Sequence, residues 1–180
     1  MIYGTLNAAG TFANIESGAA MPAGAVEITA ADARTMAETE YGFGCFKPDG
    51  KGGVVVDAAA EAAFILAKSK AAKIAEIIAA RDAACDADVT AHARQWQADK
   101  HSQLLLGQAI SLASAGLPLP PVWRDAANAE MPIVSIADLL TIAGAIAAQT
   151  QAAYSKSWAL KAQVNDKLTD TVAKVKAIAW

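Results

Sequence analysis

Aromatic residues make up only 6% of this 180-residue chain and charged residues only 18%. So little charge excludes a disordered acidic or basic tail. The net charge of -3 leaves no basic excess to neutralise phosphates, which argues against general nucleic-acid binding. Two cysteines, Cys45 and Cys85, cannot build a disulfide scaffold. The two histidines, His92 and His101, lie nine positions apart with no clustered ligands beside them, so no metal centre is expected. Long apolar runs are also missing. The most apolar window, Leu139 to Ala148, covers ten residues, and a membrane span needs about 20. The opening MIYGTLNAAG lacks the basic segment and apolar run of a signal peptide. A cytoplasmic chain without a membrane role is expected. What is abundant is alanine, about a quarter of the residues, within a hydrophobic total of 54%.

Most of the 12 glycines precede Asp57. Residues 1–57 read as a β-rich unit. Ile2 to Thr5 and Thr11 to Ile15 flank an Asn7–Gly10 turn, and Ala25 to Thr29 alternates as a third strand. Thr29 and Asp32 form a capping signal for a short helix towards Glu40. Tyr41 to Phe46 alternates glycine with aromatics as a strand would, and Lys47 to Gly53 is a turn cluster before Val54–Val56. Residues 58–87 read as one long connecting helix. Phe64, Ala67, Ala71, Ile74, Ile78 and Cys85 recur on it at steps of three, four or seven. Residues 88–180 read as a mainly helical domain with short β-hairpins. Val89 to Trp96 is β-like, and Asp99 caps a helix ending before Gly116 and Pro118. Val122–Arg124 and Met131–Val134 make a hairpin, and Ser135 with Asp138 opens a final helical stretch. Its expected buried stripe runs from Ile136 and Leu139 through Ala143, Ile146 and Thr150 to Tyr154 and Trp158. A break near Asn165–Asp170 precedes a last short helix. The fold class is therefore α+β.

Residues that could carry chemistry have simpler readings. Asp99, His101 and Ser102 share one helix turn, where neighbouring side chains diverge, and N-capping accounts for Asp99. Gly50–Gly53 lacks the order of a phosphate loop and precedes a strand, so a hairpin turn is expected. No catalytic, cofactor-binding or metal-ligating set emerges, and an enzyme is not expected. The candidate contact surface is the stripe Phe64, Ala67, Ala71, Ile74 and Ile78. Two partners satisfy it: the C-terminal helix of the same chain, or a bundle with copies of itself or with another protein. In the bundle reading Ile74 lies on the seam and Lys73 on the polar side. Trp96, Trp123 and Trp158 are expected in the core, while Trp180 either docks on its own domain or meets a partner.

The residues from about Lys70 to Trp180 resemble a C-terminal domain common in bacteriophage tail proteins. The resemblance rests on Arg81-Asp82-Ala83, Trp96, Asp99-x-x-Ser102, Leu106-Gly107-x-x-Ile110 and Ala113. It continues through Val122-Trp123-x-Asp125-Ala126-x-Asn128, Pro132, Ser135-x-x-Asp138-Leu139, Leu160-Lys161-x-x-Val164 and Trp180. Gln103 departs from the arginine that such domains often carry after the serine. Ala25 to Glu40 resembles, in outline, the N-terminal part of phage tail fibre assembly proteins. The resemblance implies a non-enzymatic tail fibre assembly protein that binds a trimeric fibre protein in the host cytoplasm, and it supplies no catalytic residues. The other function it implies is a permanent structural part of the virion tail, joining fibre or baseplate. Self-association is compatible with either.

Overall fold

A computed structural model describes residues 1–180. The fold is α+β, built from antiparallel strand pairs and five helices. Contacts divide the chain into two units. The first holds Met1–Ala71 with Asp170–Val175, and the second holds Ala72–Thr169 with Lys176–Trp180. The division falls inside the long helix, not at residue 57 where the composition changes.

In the first unit β1 (Ile2–Leu6) is the centre of a three-stranded sheet, between β2 (Phe12–Ser17) and β3 (Val26–Ile28). The turn joining β1 and β2 is held by Asn7, whose side-chain oxygen accepts from the N–H groups of Ala9 and Thr11. Helix α1 (Ala30–Glu38) starts where Thr29 Oγ1 accepts the Asp32 N–H. Its Met36 meets Phe12, Ile28 and Phe46 in a small core. Gly4 lies under that core. A Cβ there would overlap the Phe12 ring and come within 2.7 Å of Ile28 Cδ1, which is why β1 carries no side chain at this point. Residues 41–45, expected as a strand, instead form a turn and a single 3-10 turn at Phe43–Cys45. Gly42 supplies the positive φ of 65° that a strand would not use. Strands β4 (Phe46–Pro48) and β5 (Val54–Val56) then pair across the glycine-rich segment. That segment is a hairpin turn: the Asp49 carboxylate accepts from the N–H groups of Lys51 and Gly53.

Helix α2 spans Ala58–Asp86, opened by Asp57, whose Oδ1 accepts from the Ala59 and Ala60 N–H groups. The second unit adds the hairpin β6 (Val89–Ala91) and β7 (Arg94–Trp96), then helix α3 (Lys100–Ser114). A second hairpin follows, β8 (Val122–Arg124) and β9 (Glu130–Pro132), then helix α4 (Ile136–Asn165). A last turn of helix, α5, covers Val172–Ala177. The main core joins both hairpins to the helices through Val89, Trp96, Leu106, Ile133, Leu139, Ile142 and Ile146. Trp96 lies at its centre, its indole N–H donating to the Ala91 carbonyl at 2.8 Å. Farther along α4, Leu160 and Val164 close on Ile77 of α2, with Ile74 and Ile178 beside them.

Two further expected placements differ. The buried face of α4 runs Leu139, Ile142, Ile146, Ala153, Ser157, Leu160, Val164. It turns away from Tyr154 and Trp158, and Trp158 is 56% exposed. Tyr154 and Trp158 each stand one position after a buried residue, Ala153 and Ser157, which sets them about 100° round the helix from that face. Val134, assigned to a strand by its neighbours, lies outside β9 and is exposed.

Candidate interaction site

The polar residues that give the second unit its recognisable pattern are engaged in shaping backbone. Asp99 Oδ1 accepts from His101 and Ser102 N–H at the start of α3, and Ser102 Oγ donates to Asp99 Oδ2 at 2.6 Å. These bonds hold the Asp99 carboxyl below the usual range, the Ser102 hydroxyl contributing most. Asp138 does the same for α4: its Oδ2 accepts from the Ser135 and Val134 N–H groups, and its acidity is raised chiefly by the Ser135 bond. The His92 ring donates from Nε2 to the Asp138 carbonyl at 3.1 Å, an assignment fixed because a carbonyl can only accept. Gln103 uses its amide to reach the Ala98 carbonyl at 2.6 Å.

Asp125 accepts three hydrogen bonds, one of them from a guanidinium. Its Oδ1 accepts from Ala127 and Ala129 N–H at 3.0 and 2.9 Å, and its Oδ2 from Arg94 at 2.9 Å. The Ala129 bond is the largest cause of its lowered pKa, with Arg94 adding to it. The loop it ties carries Asn128 in the left-handed region at φ 60°. No group of three His, Cys, Asp or Glu side chains is placed to hold a metal ion. Both cysteines are free thiols, and burial pushes that of Cys45 up.

What the second unit leaves open to solvent is apolar. On α3 only Leu106 is buried, whereas Leu104, Leu105 and Leu112 are 56%, 43% and 52% exposed. Three consecutive leucines on a helix point 100° apart, so no single packed face can take all of them. On one side of α3 is a hollow of about 260 Å³ lined by Trp96, Leu105, Leu106, Trp123 and Arg124. On the other, a groove of about 360 Å³ between α3 and α4 has Gly107, Ile110, Ala143 and Ile146 on its floor and Gln103 and Gln151 on its rim. No acidic or basic residue lines that groove.

The α2 stripe is divided between several environments. Phe64 is half-buried and stacks edge-on against Tyr41, their centroids 6.1 Å apart, within the first unit. Ile74 and Ile78 are half-buried, and Ile74 packs beside Ile77, Leu160 and Val164 within the second. Ala67 and Ala71 are exposed. The fully buried residue of this helix is Ile77, off the expected stripe. Lys73, assigned to the polar side, keeps only 12% of its side chain exposed and pairs with Glu76 at 2.7 Å. Trp180, 38% exposed, lines a hollow with Ala84, Ala152 and Ala153 of its own unit, and the Lys156 ammonium lies 4.8 Å from its ring centre.

A family model, the domain of unknown function DUF4376, matches residues 68–179. The chain belongs to the DUF4376 family. The match begins within α2 and takes in nearly all of the second unit, including both hairpins and the leucine-rich face of α3. No curated protein and no solved structure matches the chain. No helix of this DUF4376 protein is long and apolar enough to cross a membrane.

Proposed function

We propose that the protein acts in bacteriophage tail fibre assembly, binding the fibre protein while its chains fold. The observation that carries this reading is the ordered series of residues from Arg81 to Trp180, which resembles the C-terminal domain of phage tail proteins over almost the same span as the family match. Two structural features support a binding role. Asp99, Asp125 and Asp138 of that series accept backbone N–H groups, while Leu104, Leu105 and Leu112 face solvent. In the first unit β2 and β3 are short edge strands, each with one side of its hydrogen-bonding row unpaired within the sheet. Such surfaces can cover apolar patches and strand edges on a partner that has not finished folding.

Co-expression with a candidate fibre protein tests the reading. The two are expected to co-purify, and the fibre to yield more trimer with the protein than without it. Equal trimer yield with no co-purification overturns the proposal. Mass spectrometry of purified particles then separates a released assembly factor from a component that stays in the tail.

A further inference from the structure

We infer that the open edge of β3 takes an extended strand of the fibre partner, and that this strand sets a lysine or arginine directly against Glu27. The inference rests on the fibre-assembly reading and names where a fibre chain is held and by what chemistry.

The register of the sheet shows which backbone groups are free. The Gly18 N–H donates to the Met1 carbonyl at 3.1 Å, so Met1 and Gly18 are a hydrogen-bonded pair at the end of β1 and β2. Such pairs alternate along an antiparallel ladder. Tyr3 therefore bonds to Glu16, while Ile2 and Gly4 turn their N–H and C=O groups towards Ile28 and Val26. Glu27, opposite Tyr3, is left with its own N–H and C=O pointing away from the sheet, and no backbone group of the chain bonds to either. The same edge is occupied on both sides of it. The Ala25 N–H donates to the Pro22 carbonyl, and the Thr29 carbonyl accepts from Ala33 at the start of α1. A strand laid antiparallel along β3 closes two hydrogen bonds on Glu27.

The opposite edge of the sheet is guarded. On β2 the outward N–H of Ile15 is taken by Asn14 Oδ1 at 2.9 Å, and the Asn14 amide donates to Glu16 Oε1 at 2.7 Å. A side chain folded over the central donor of an edge strand opposes pairing there.

Charge names the occupant. Glu27 is exposed, and the row it shares with Tyr3 and Glu16 across the sheet holds two carboxylates and no cation. Residues directly opposite on neighbouring strands attract when oppositely charged and repel when alike. The residue set against Glu27 is therefore basic. Those on either side of it fall on the face of Val26 and Ile28, which pack with Phe12 and Met36, and are apolar. The same carboxylate argues against a second copy, because twofold pairing of two β3 edges sets Glu27 against Glu27.

Co-purification of the full chain with the candidate fibre protein tests this, with variants on both edges. Glu27→Pro removes the outward N–H without touching the bonds to β1, and is expected to abolish fibre binding. Glu27→Lys is expected to weaken binding about tenfold, since it turns an attraction into a repulsion. Ser17→Pro removes an outward N–H from the guarded edge and is expected to bind like the wild type. If Glu27→Pro lowers the melting temperature, Glu27→Lys carries the test, because that side chain is exposed. Fibre bound equally by the wild type and by both Glu27 variants overturns this inference and leaves the fibre reading standing. Loss of binding in Ser17→Pro moves the contact to β2 and overturns it too. A wild-type dimer that Glu27→Pro dissolves gives the edge to a second copy, with the same consequence. A wild type that binds no fibre overturns both the inference and the reading beneath it.

Discussion

Asp125 accepts from two backbone N–H groups and a guanidinium, and its carboxyl is 9% exposed. Those bonds favour the charged form, so its folded pKa lies below the unfolded value of about 3.9. A depressed carboxyl contributes stability that is present above the unfolded value and is lost as pH falls through the folded one. Asp125→Ala is therefore expected to lower the melting temperature by several degrees at neutral pH. The gap to wild type should close as the solution is acidified below about 3.9. Thermal melts of both proteins across that range check it, and a gap that stays constant would remove the charge from the account. The turn around Asp125 and Asn128 is legible in the sequence, because both residues favour turns. The bond to Arg94 is not, because the two stand 31 residues apart and only the packing of the hairpins brings them together. Ser157 is the converse. It is a helical serine that nothing local marks, yet it is fully buried with no partner for its hydroxyl.

The lengths of the helices were readable and their rotations were not. Helix α2 begins after Asp57 and ends at Asp86 close to where the sequence places it, because caps and breakers are local signals. Its inward face was misassigned because alanine occupies so many positions that several stripes look equally apolar. Ile77, three residues after Ile74 and one before Ile78, lies on the same side of the helix, and the structure buries it with Ile74 beside it. Ile77→Ala is expected to destabilise the protein by about 2–5 kcal/mol in denaturant titration, the usual cost of truncating a buried isoleucine. Lys73→Asp is expected to be destabilising too, since it replaces a covered ammonium paired with Glu76 by a carboxylate beside that same glutamate. A Lys73→Asp variant as stable as wild type would return this residue to the polar side. The β6–β7 hairpin shows a different limit. Its two-residue turn uses His92 and Ala93, both at positive φ, and neither is a residue that announces such a turn. The His92 bond to the Asp138 carbonyl, 46 residues on, helps hold it there.

At the scale of the chain, the local features are the two free thiols and two separate apolar cores. Both cysteines are free and no ligand cluster is assembled. Each unit instead has an apolar core of its own, around Met36 and Phe12 in the first and around Trp96 and Leu139 in the second. Adding a chelator or a reductant is expected to leave the melting temperature unchanged, and a fall of several degrees with either would reveal a missed site. The sequence by itself determined the α+β class, the order of nearly all the elements and the caps at Thr29, Asp99 and Ser135. These depend on interactions within a few residues, which composition and spacing record directly. Only the tertiary structure decided where the units divide, which face of each long helix is buried and which leucines of α3 remain outside. Those outcomes depend on which residues meet across tens of positions. In a chain whose helices are apolar on nearly every side, local periodicity leaves that choice to the fit of the large side chains.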